Sequence, residues 1–291
     1  MRSVQYVLVV AFVLAVAPFT RGADPKPLKV FILAGQSNMV GFSVVDLAGK
    51  DFNQGKGTLA ELVKDPARKD LFRGLLDGKG GWRTRDDVWV RYVPEGQKPR
   101  VGPLGFGFTS HDGKHHFGPE LGFGQVVGDA LDDEVLIIKT AWGGKSLYVD
   151  FRPPSSGGQT GKYYTQMIQE VRDALGAVKT DFPASKANGY ELAGFAWHQG
   201  WNDGCDPDHA VPEYEANLVN LIKDVRKDLN APKLPVVIGE LTGPWVNAPG
   251  EWNLLRKAQA AAAAHAEFAG SVVFVPTHDF VRKPEDSPNP G

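Results

Sequence analysis

The sequence predicts an α/β protein: a parallel sheet with helices on both faces. Three observations carry that reading. Five short apolar segments recur without clean alternation, as strands buried on both faces do. Helix-periodic segments separate them. Strand alternating with helix then implies right-handed crossovers and a sheet covered on both sides.

Taken in order, the first strand is Lys29–Leu33, inside a run that continues Ala34-Gly35-Gln36-Ser37-Asn38-Met39. Residues 43 to 117 follow as a large insertion rich in Gly, Arg, Trp and His, with one candidate extra strand at Asp87–Val93. Ordered insertions of that size in compact domains are usually functional. A helix is expected over Pro119–Leu131, a second strand over Glu134–Lys139 and a helix over Tyr163–Val178. The third strand is Leu192–His198, and the helix after it, Pro212–Leu229, carries Leu218, Leu221, Ile222, Val225 and Leu229 as one apolar stripe. Strand Pro235–Gly239, helix Glu251–Phe268 and strand Ser271–Val275 complete the pattern. In the last helix Ala258 to Ala264 is broken only by Gln259, which is strong helix propensity. The chain then runs through Lys283-Pro284-Glu285-Asp286-Ser287-Pro288-Asn289-Pro290 without a closing helix, an ending that reads as cut short.

An apolar content of 42% and a charged content of 23% are those of an ordinary globular chain. Net charge is −2 with both signs mixed, so no basic face argues for nucleic acid. Residues 1–22 read as a signal peptide: Arg2 supplies charge, Val4 to Pro18 is almost wholly apolar, and Thr20-Arg21-Gly22 offers a cleavage site. The expectation is a secreted or periplasmic protein, one domain over 23–291, with no membrane span after cleavage; oligomeric state is left open. The single cysteine, Cys205, leaves no intrachain disulfide and is expected to be a small packing residue.

The candidate chemistry lies at the strand ends. Ser37 stands where open α/β sheets place their ligands, beside the free N–H groups of a following helix. The competing reading is a strand-ending turn whose serine caps that helix. Polar or Gly-rich runs follow the other four strands too: Trp142-Gly143-Gly144-Lys145-Ser146, Trp197-His198-Gln199-Gly200-Trp201-Asn202-Asp203, Glu240-Leu241-Thr242-Gly243, and Thr277-His278-Asp279. In a parallel sheet all five reach one rim. A serine, exposed glycine amides, a carboxamide and His/Asp groups are what acyl transfer needs.

Gly35-Gln36-Ser37-Asn38-Met39 resembles the first block of the SGNH hydrolases, in the sialate O-acetylesterase-like branch that includes carbohydrate esterase family six. The resemblance continues through Phe117–Gly124, Ala141–Leu147 and Trp197–Asp203, covering residues 28 to about 280. It implies a three-layer α/β/α sandwich with a five-stranded parallel sheet in flavodoxin-like order. It also implies an esterase that removes O-acetyl groups from a carbohydrate, of the sialic acid or the plant or algal polysaccharide type, without a cofactor. Ser37 corresponds to the nucleophile, with its own N–H as first oxyanion donor and Gly144, or its neighbour Gly143, as second. This branch usually reads Gln-Gly-Glu where the chain has Gln199-Gly200-Trp201, whereas Gly200-Trp201-Asn202-Asp203 resembles the Gly-x-Asn-Asp of the wider superfamily. The third donor is therefore Gln199 or Asn202. Gln36, Asn38, Trp201 and Arg85 are candidate substrate contacts, Trp201 as a sugar-stacking or merely rim aromatic.

The departure is the base. The family carries Asp-x-x-His, or a later equivalent His, after the fifth strand, and no Asp-x-x-His occurs after residue 270. Three readings stand: a base beyond Gly291; His278 as substitute, oriented by Asp279 or another acid; or a pseudoenzyme that binds carbohydrate without cleaving it. No metal is expected: His111, His115, His116 and Asp112 cluster in a Gly-rich insertion without evidence of convergence. Lys145-Ser146 lacks the spaced Gly of a phosphate-binding loop.

Overall fold

A computed structural model describes residues 26–243 and 250–288; the expected signal peptide lies outside them. Strand β1 (Leu28–Gly35) leads into the one-turn helix α1 (Ser37–Val40). The insertion holds β2 (Ser43–Val44), the short helices α2 (Leu59–Leu62) and α3 (Lys69–Phe72), β3 (Arg85–Tyr92), β4 (Arg100–Leu104) and β5 (His116–Phe117). Then come α4 (Pro119–Ala130), β6 (Val135–Ala141), α5 (Lys162–Gly176), α6 (Val178–Asp181), β7 (Tyr190–His198), α7 (Trp201–Gly204), α8 (Ala210–Asp228), β8 (Val236–Gly239), α9 (Gly250–Ala263) and β9 (Val272–Val275).

The main sheet has seven strands in the order β4-β3-β6-β1-β7-β8-β9. The five expected strands form its β6-β1-β7-β8-β9 part, all parallel, and numbered along the chain they run 2-1-3-4-5, the flavodoxin-like order. The insertion widens the sheet by two. The candidate extra strand joins β6 in parallel as β3, and β4 folds back antiparallel on it. A small second sheet pairs β2 with β5 beside α1.

The two faces of each strand enter different cores. On β1, Leu28, Val30, Ile32 and Ala34 pack with α5, α8 and α9, whereas Leu33 packs with Met39 and Val40 of α1 and with the inward residues of β3 and β6. Period-two side chains sandwiched on both sides are why these strands read as unbroken apolar runs. One expectation fails: Cys205 is exposed at the end of α7 rather than packed.

Candidate active site

Ser37 is delivered by a tight passage from β1 into α1. A Cβ on Gly35 would lie 2.1 Å from the carbonyl oxygen of His198, so this close approach of β1 to β7 admits only glycine. The Gln36 N–H donates to that carbonyl at 3.2 Å. Ser37 is half-buried, and its hydroxyl has no hydrogen bond among the described residues. As the first residue of a helix it also keeps a free N–H.

Gln36 is not on the surface. It is 3% exposed, and its Oε1 accepts the Gly200 N–H at 3.0 Å and the Asn202 N–H at 3.4 Å. Two backbone donors fix which end of that amide is oxygen. Its Nε2 therefore donates to Asn202 Oδ1, at 3.1 Å. This turns the Asn202 Nδ2 group away from Gln36, and Asn202 itself is half-buried at the rim. The expected substrate contact Gln36 is thus corrected to a clamp that orients Asn202.

Gln199 is 0% exposed and fully engaged. Its Nε2 donates to the Lys145 carbonyl at 3.0 Å and to Asp203 Oδ2 at 2.5 Å, while the Tyr214 hydroxyl lies 3.0 Å from its Oε1. Its own carbonyl accepts from Gln259 Nε2 at 2.9 Å. Of the two carboxamides left open by the sequence, only Asn202 keeps a donor that is not committed below the rim.

Asp203, also 0% exposed, carries the other half of the network. Its carboxylate accepts the N–H groups of Leu147 and Tyr148, both at 2.8 Å, which pins the Gly-Gly-Lys-Ser loop to α7. Burial pushes its pKa up to about 6, with the hydrogen bonds from Gln199, Leu147 and Tyr148 opposing. In the pinned loop Gly143 and Gly144 are exposed, their N–H groups bond to no described residue, and Gly144 adopts φ +70°. Ser37, the Gly144 N–H and Asn202 therefore stand at the carboxyl ends of three adjacent strands, β1, β6 and β7.

Towards β8 and β9 the rim carries a second polar group. His278 Nδ1 lies 2.5 Å from Glu240 Oε2, which also accepts the N–H groups of Thr277 (2.9 Å) and His278 (3.0 Å). Burial works to raise the Glu240 pKa, but these hydrogen bonds win and hold it below the usual carboxylate range. Asp279, the acid adjacent in sequence, is 84% exposed and lies 3.5 Å from Nε2. His278 makes no hydrogen bond to Ser37, and three strand spacings, about 14 Å, separate β1 from β9. His198, at the end of β7, is pulled down to about 4 by burial and is neutral near pH 7.

Trp201 is 41% exposed and packs on Trp252 of α9 at 4.7 Å between ring centroids. Asn38 is exposed beside Ser37. Arg85 is a correction: it opens β3 at the amino end of the sheet, opposite the rim. It is 4% exposed, paired with Asp87 and Asp129, and so closed to substrate. In the insertion His111 stacks on His116 at 3.9 Å and His115 pairs with Asp46 at 2.7 Å; among the described residues no three His, Cys, Asp or Glu side chains gather as a metal site.

Sequence reasoning missed Asp203, Tyr214, Gln259 and Glu240 as supports. Gln259 had a visible signal, since it alone interrupts an alanine run and is buried.

Residues 27–287 match the family model described as carbohydrate esterase, sialic acid-specific acetylesterase, and the chain belongs to that family. A relative from Arabidopsis thaliana, described as "Probable carbohydrate esterase At4g34215", is 23% identical over 218 residues, 72% of this chain and 68% of its own length. The crystal structure of the Arabidopsis thaliana protein of that name superposes with a TM-score of 0.52 at 19% identity, covering 86% of this chain and 85% of the other. XAC1771, a carbohydrate acetylesterase from Xanthomonas citri, gives 0.52 at 15% identity over 87% and 50% of the two chains. NanS gives 0.51 at 15% over 87% and 78%. Among the described residues no helix is long and apolar enough to cross a membrane.

Proposed function

We propose that this chain is an exported serine esterase that removes O-acetyl groups from a carbohydrate through an acetyl-serine intermediate. The observation that supports it best is the grouping of a Ser37 hydroxyl and a Gly144 N–H, neither with a partner among the described residues, and an Asn202 amide turned outward by Gln36. Ser37 Oγ attacks the acetyl carbonyl carbon and gives up its proton. The carbonyl oxygen, now an oxyanion, is received by the N–H groups of Ser37 and Gly144 and by Asn202 Nδ2. Collapse expels the sugar hydroxyl, protonated as it leaves; water then attacks the acetyl-serine and acetate departs. Trp201 supplies a flat apolar face on which a sugar ring can stack, and Asn38 a polar contact. Export rests on the character of residues 1–22.

The proton acceptor has two candidate sources, His278 and a histidine on a continuation past Gly291. The missing Ser37–His278 hydrogen bond and the three-strand separation weigh against His278. The test is acetate release from aryl acetates and acetylated sugars by residues 23–291, beside a form extended to the next stop codon of the gene. Ser37-dependent release confined to the extended form assigns the base to the continuation. Equal release in both assigns it to residues 23–291, with His278 the first candidate. Glycan binding without any release, unaffected by Ser37→Ala, would replace the enzyme reading with a binding protein.

A further inference from the structure

Beneath α1, on the sheet face away from the Asp203 network, lies a charged pair outside the reacting groups. Lys139, the one charge in the apolar strand β6, and Glu120, in the first turn of α4, are both 0% exposed. Lys139 Nζ donates to Glu120 Oε2 at 2.6 Å, to the Val40 carbonyl at 2.7 Å and to the Phe108 carbonyl at 2.7 Å. An ammonium has three protons, and all three are used. Glu120 Oε1 accepts the Gly118 N–H at 2.9 Å.

The partners explain why a charge belongs there. Val40 is the last residue of α1, whose first residue is Ser37, and a four-residue helix does not hold its own geometry. Phe108 belongs to the insertion that flanks α1, and Gly118 immediately precedes α4. Directly above the ammonium the backbones of Gly41 and Gly118 cross so closely that a Cβ on Gly41 would come within 2.3 Å of Gly118 Cα. One cation thus joins the carboxyl end of the serine-bearing turn, the insertion and the start of α4. Replacing a buried ion pair with apolar side chains is often neutral or stabilising, so stability alone is a weak reason for this one.

We propose that Lys139 and Glu120 are positioning residues for Ser37: the ammonium fixes the far end of α1, and with it the direction of the Ser37 hydroxyl and N–H. This rests on the reading of Ser37 as the nucleophile. Ångström-scale misplacement of a reacting group can lower turnover by about 100-fold. The effect belongs in kcat, because neither residue reaches substrate.

The experiment uses the form that shows Ser37-dependent aryl-acetate hydrolysis; if no form does, the function reading fails before this one is reached. The variants are Lys139→Met/Glu120→Met and Glu120→Gln, each scored for Tm, kcat and KM. The double variant, with no charge left unpaired, is expected to fold and to lose about 30- to 100-fold in kcat with KM within threefold. Glu120→Gln, which keeps an acceptor for the ammonium but sets an amide against the Gly118 N–H, is expected to lose about threefold to tenfold in kcat. A folded double variant with kcat within twofold of the parent overturns the proposal. If the double variant does not fold, Glu120→Gln decides, and a parental kcat there overturns it equally.

Discussion

At the ends of β1, β6 and β7 each candidate group is held from below by a buried side chain. At the ends of β8 and β9 a buried carboxylate, Glu240, holds a half-exposed histidine that does not reach Ser37. Gln36, Gln199 and Asp203 are 3%, 0% and 0% exposed and tie the Ser37 turn, the Gly144 loop and α7 into one network. Tyr214 of α8 and Gln259 of α9 anchor it, Tyr214 lying 2.9 Å and Gln259 2.9 Å from the Gln199 carbonyl. His278 is 36% exposed and tied to Glu240, with Thr242 and Thr277 exchanging a hydrogen bond beside it at 2.8 Å. The difference teaches where preorganisation has been concentrated. Donors aimed at a developing oxyanion act only if they need not reorganise, so they demand a rigid foundation. The second half has its own buried supports, Glu240 and Arg256, but they hold a half-exposed histidine and a loop backbone rather than donors grouped around Ser37, which agrees with a role in shaping the rim.

The comparison breaks first at Asn202. Asn202→Ala is expected to lower kcat by about 100- to 1,000-fold, the range for one lost oxyanion donor, with KM little changed and Tm lowered because the buried Gln36 Nε2 loses its acceptor. A loss below tenfold, measured on an aryl acetate, would remove Asn202 from the oxyanion site and return the question to Gln199.

Asp203→Asn comes next, with two readouts. An amide cannot accept from Leu147, Tyr148 and Gln199 as a carboxylate does, so the Gly144 loop loosens and kcat is expected to fall about tenfold. Stability gives the second readout. The Asp203 pKa is about 6 in the folded chain against 3.8 for an ordinary aspartate, so between these limits the folded state holds more protons than the unfolded state. Stability from this group is therefore lost as pH rises from about 4 to 6, by on the order of 3 kcal/mol. His198 runs the other way: its folded value of about 4 against 6.5 means stability is gained as pH rises through that window. The variant retains only the second contribution. Its stability relative to the parent should climb between pH 4 and 6 in urea titrations; a difference that stays flat would show that Asp203 is ionised throughout.

How much of this was legible follows the same division. The five parallel strands could be read because double burial writes continuous apolar runs, and the serine turn because Gly35 and Ser37 sit at a fixed spacing. Widening of the sheet by β4 could not be read, since Arg100–Leu104 is short and contains Gly102 and Pro103, as an edge strand tolerates. Arg85 went wrong because a charge within an insertion looks exposed until Asp87 and Asp129 close over it. The places of Gln36 and Gln199 are illegible for a related reason: a carboxamide in a motif can face the substrate or the scaffold, and only the partners around it decide. The link between Glu240 and His278 joins residues 38 apart on different strands, a pairing no local pattern contains.

The β8–β9 half of the rim gives the smaller effects. His278→Ala is expected to change kcat by less than about threefold, since general-base removal costs orders of magnitude only where the imidazole reaches the nucleophile. A loss rivalling that of Ser37→Ala would make His278 the base and Glu240 its orienting acid, and would erase the contrast between the halves. Trp201→Ala is smaller still and appears in a different parameter. Its ring lies beside the Asn202 turn, braced by Trp252, with Gly243 leaving room against its edge. Stacking on a sugar acts on ground state and transition state alike, so truncation should raise KM for an acetylated carbohydrate about threefold to tenfold and leave kcat unchanged. An aryl acetate, which carries no sugar ring, should be hydrolysed by Trp201→Ala as by the parent. Equal KM increases on both substrates would mean that Trp201 braces the loop rather than meeting the carbohydrate.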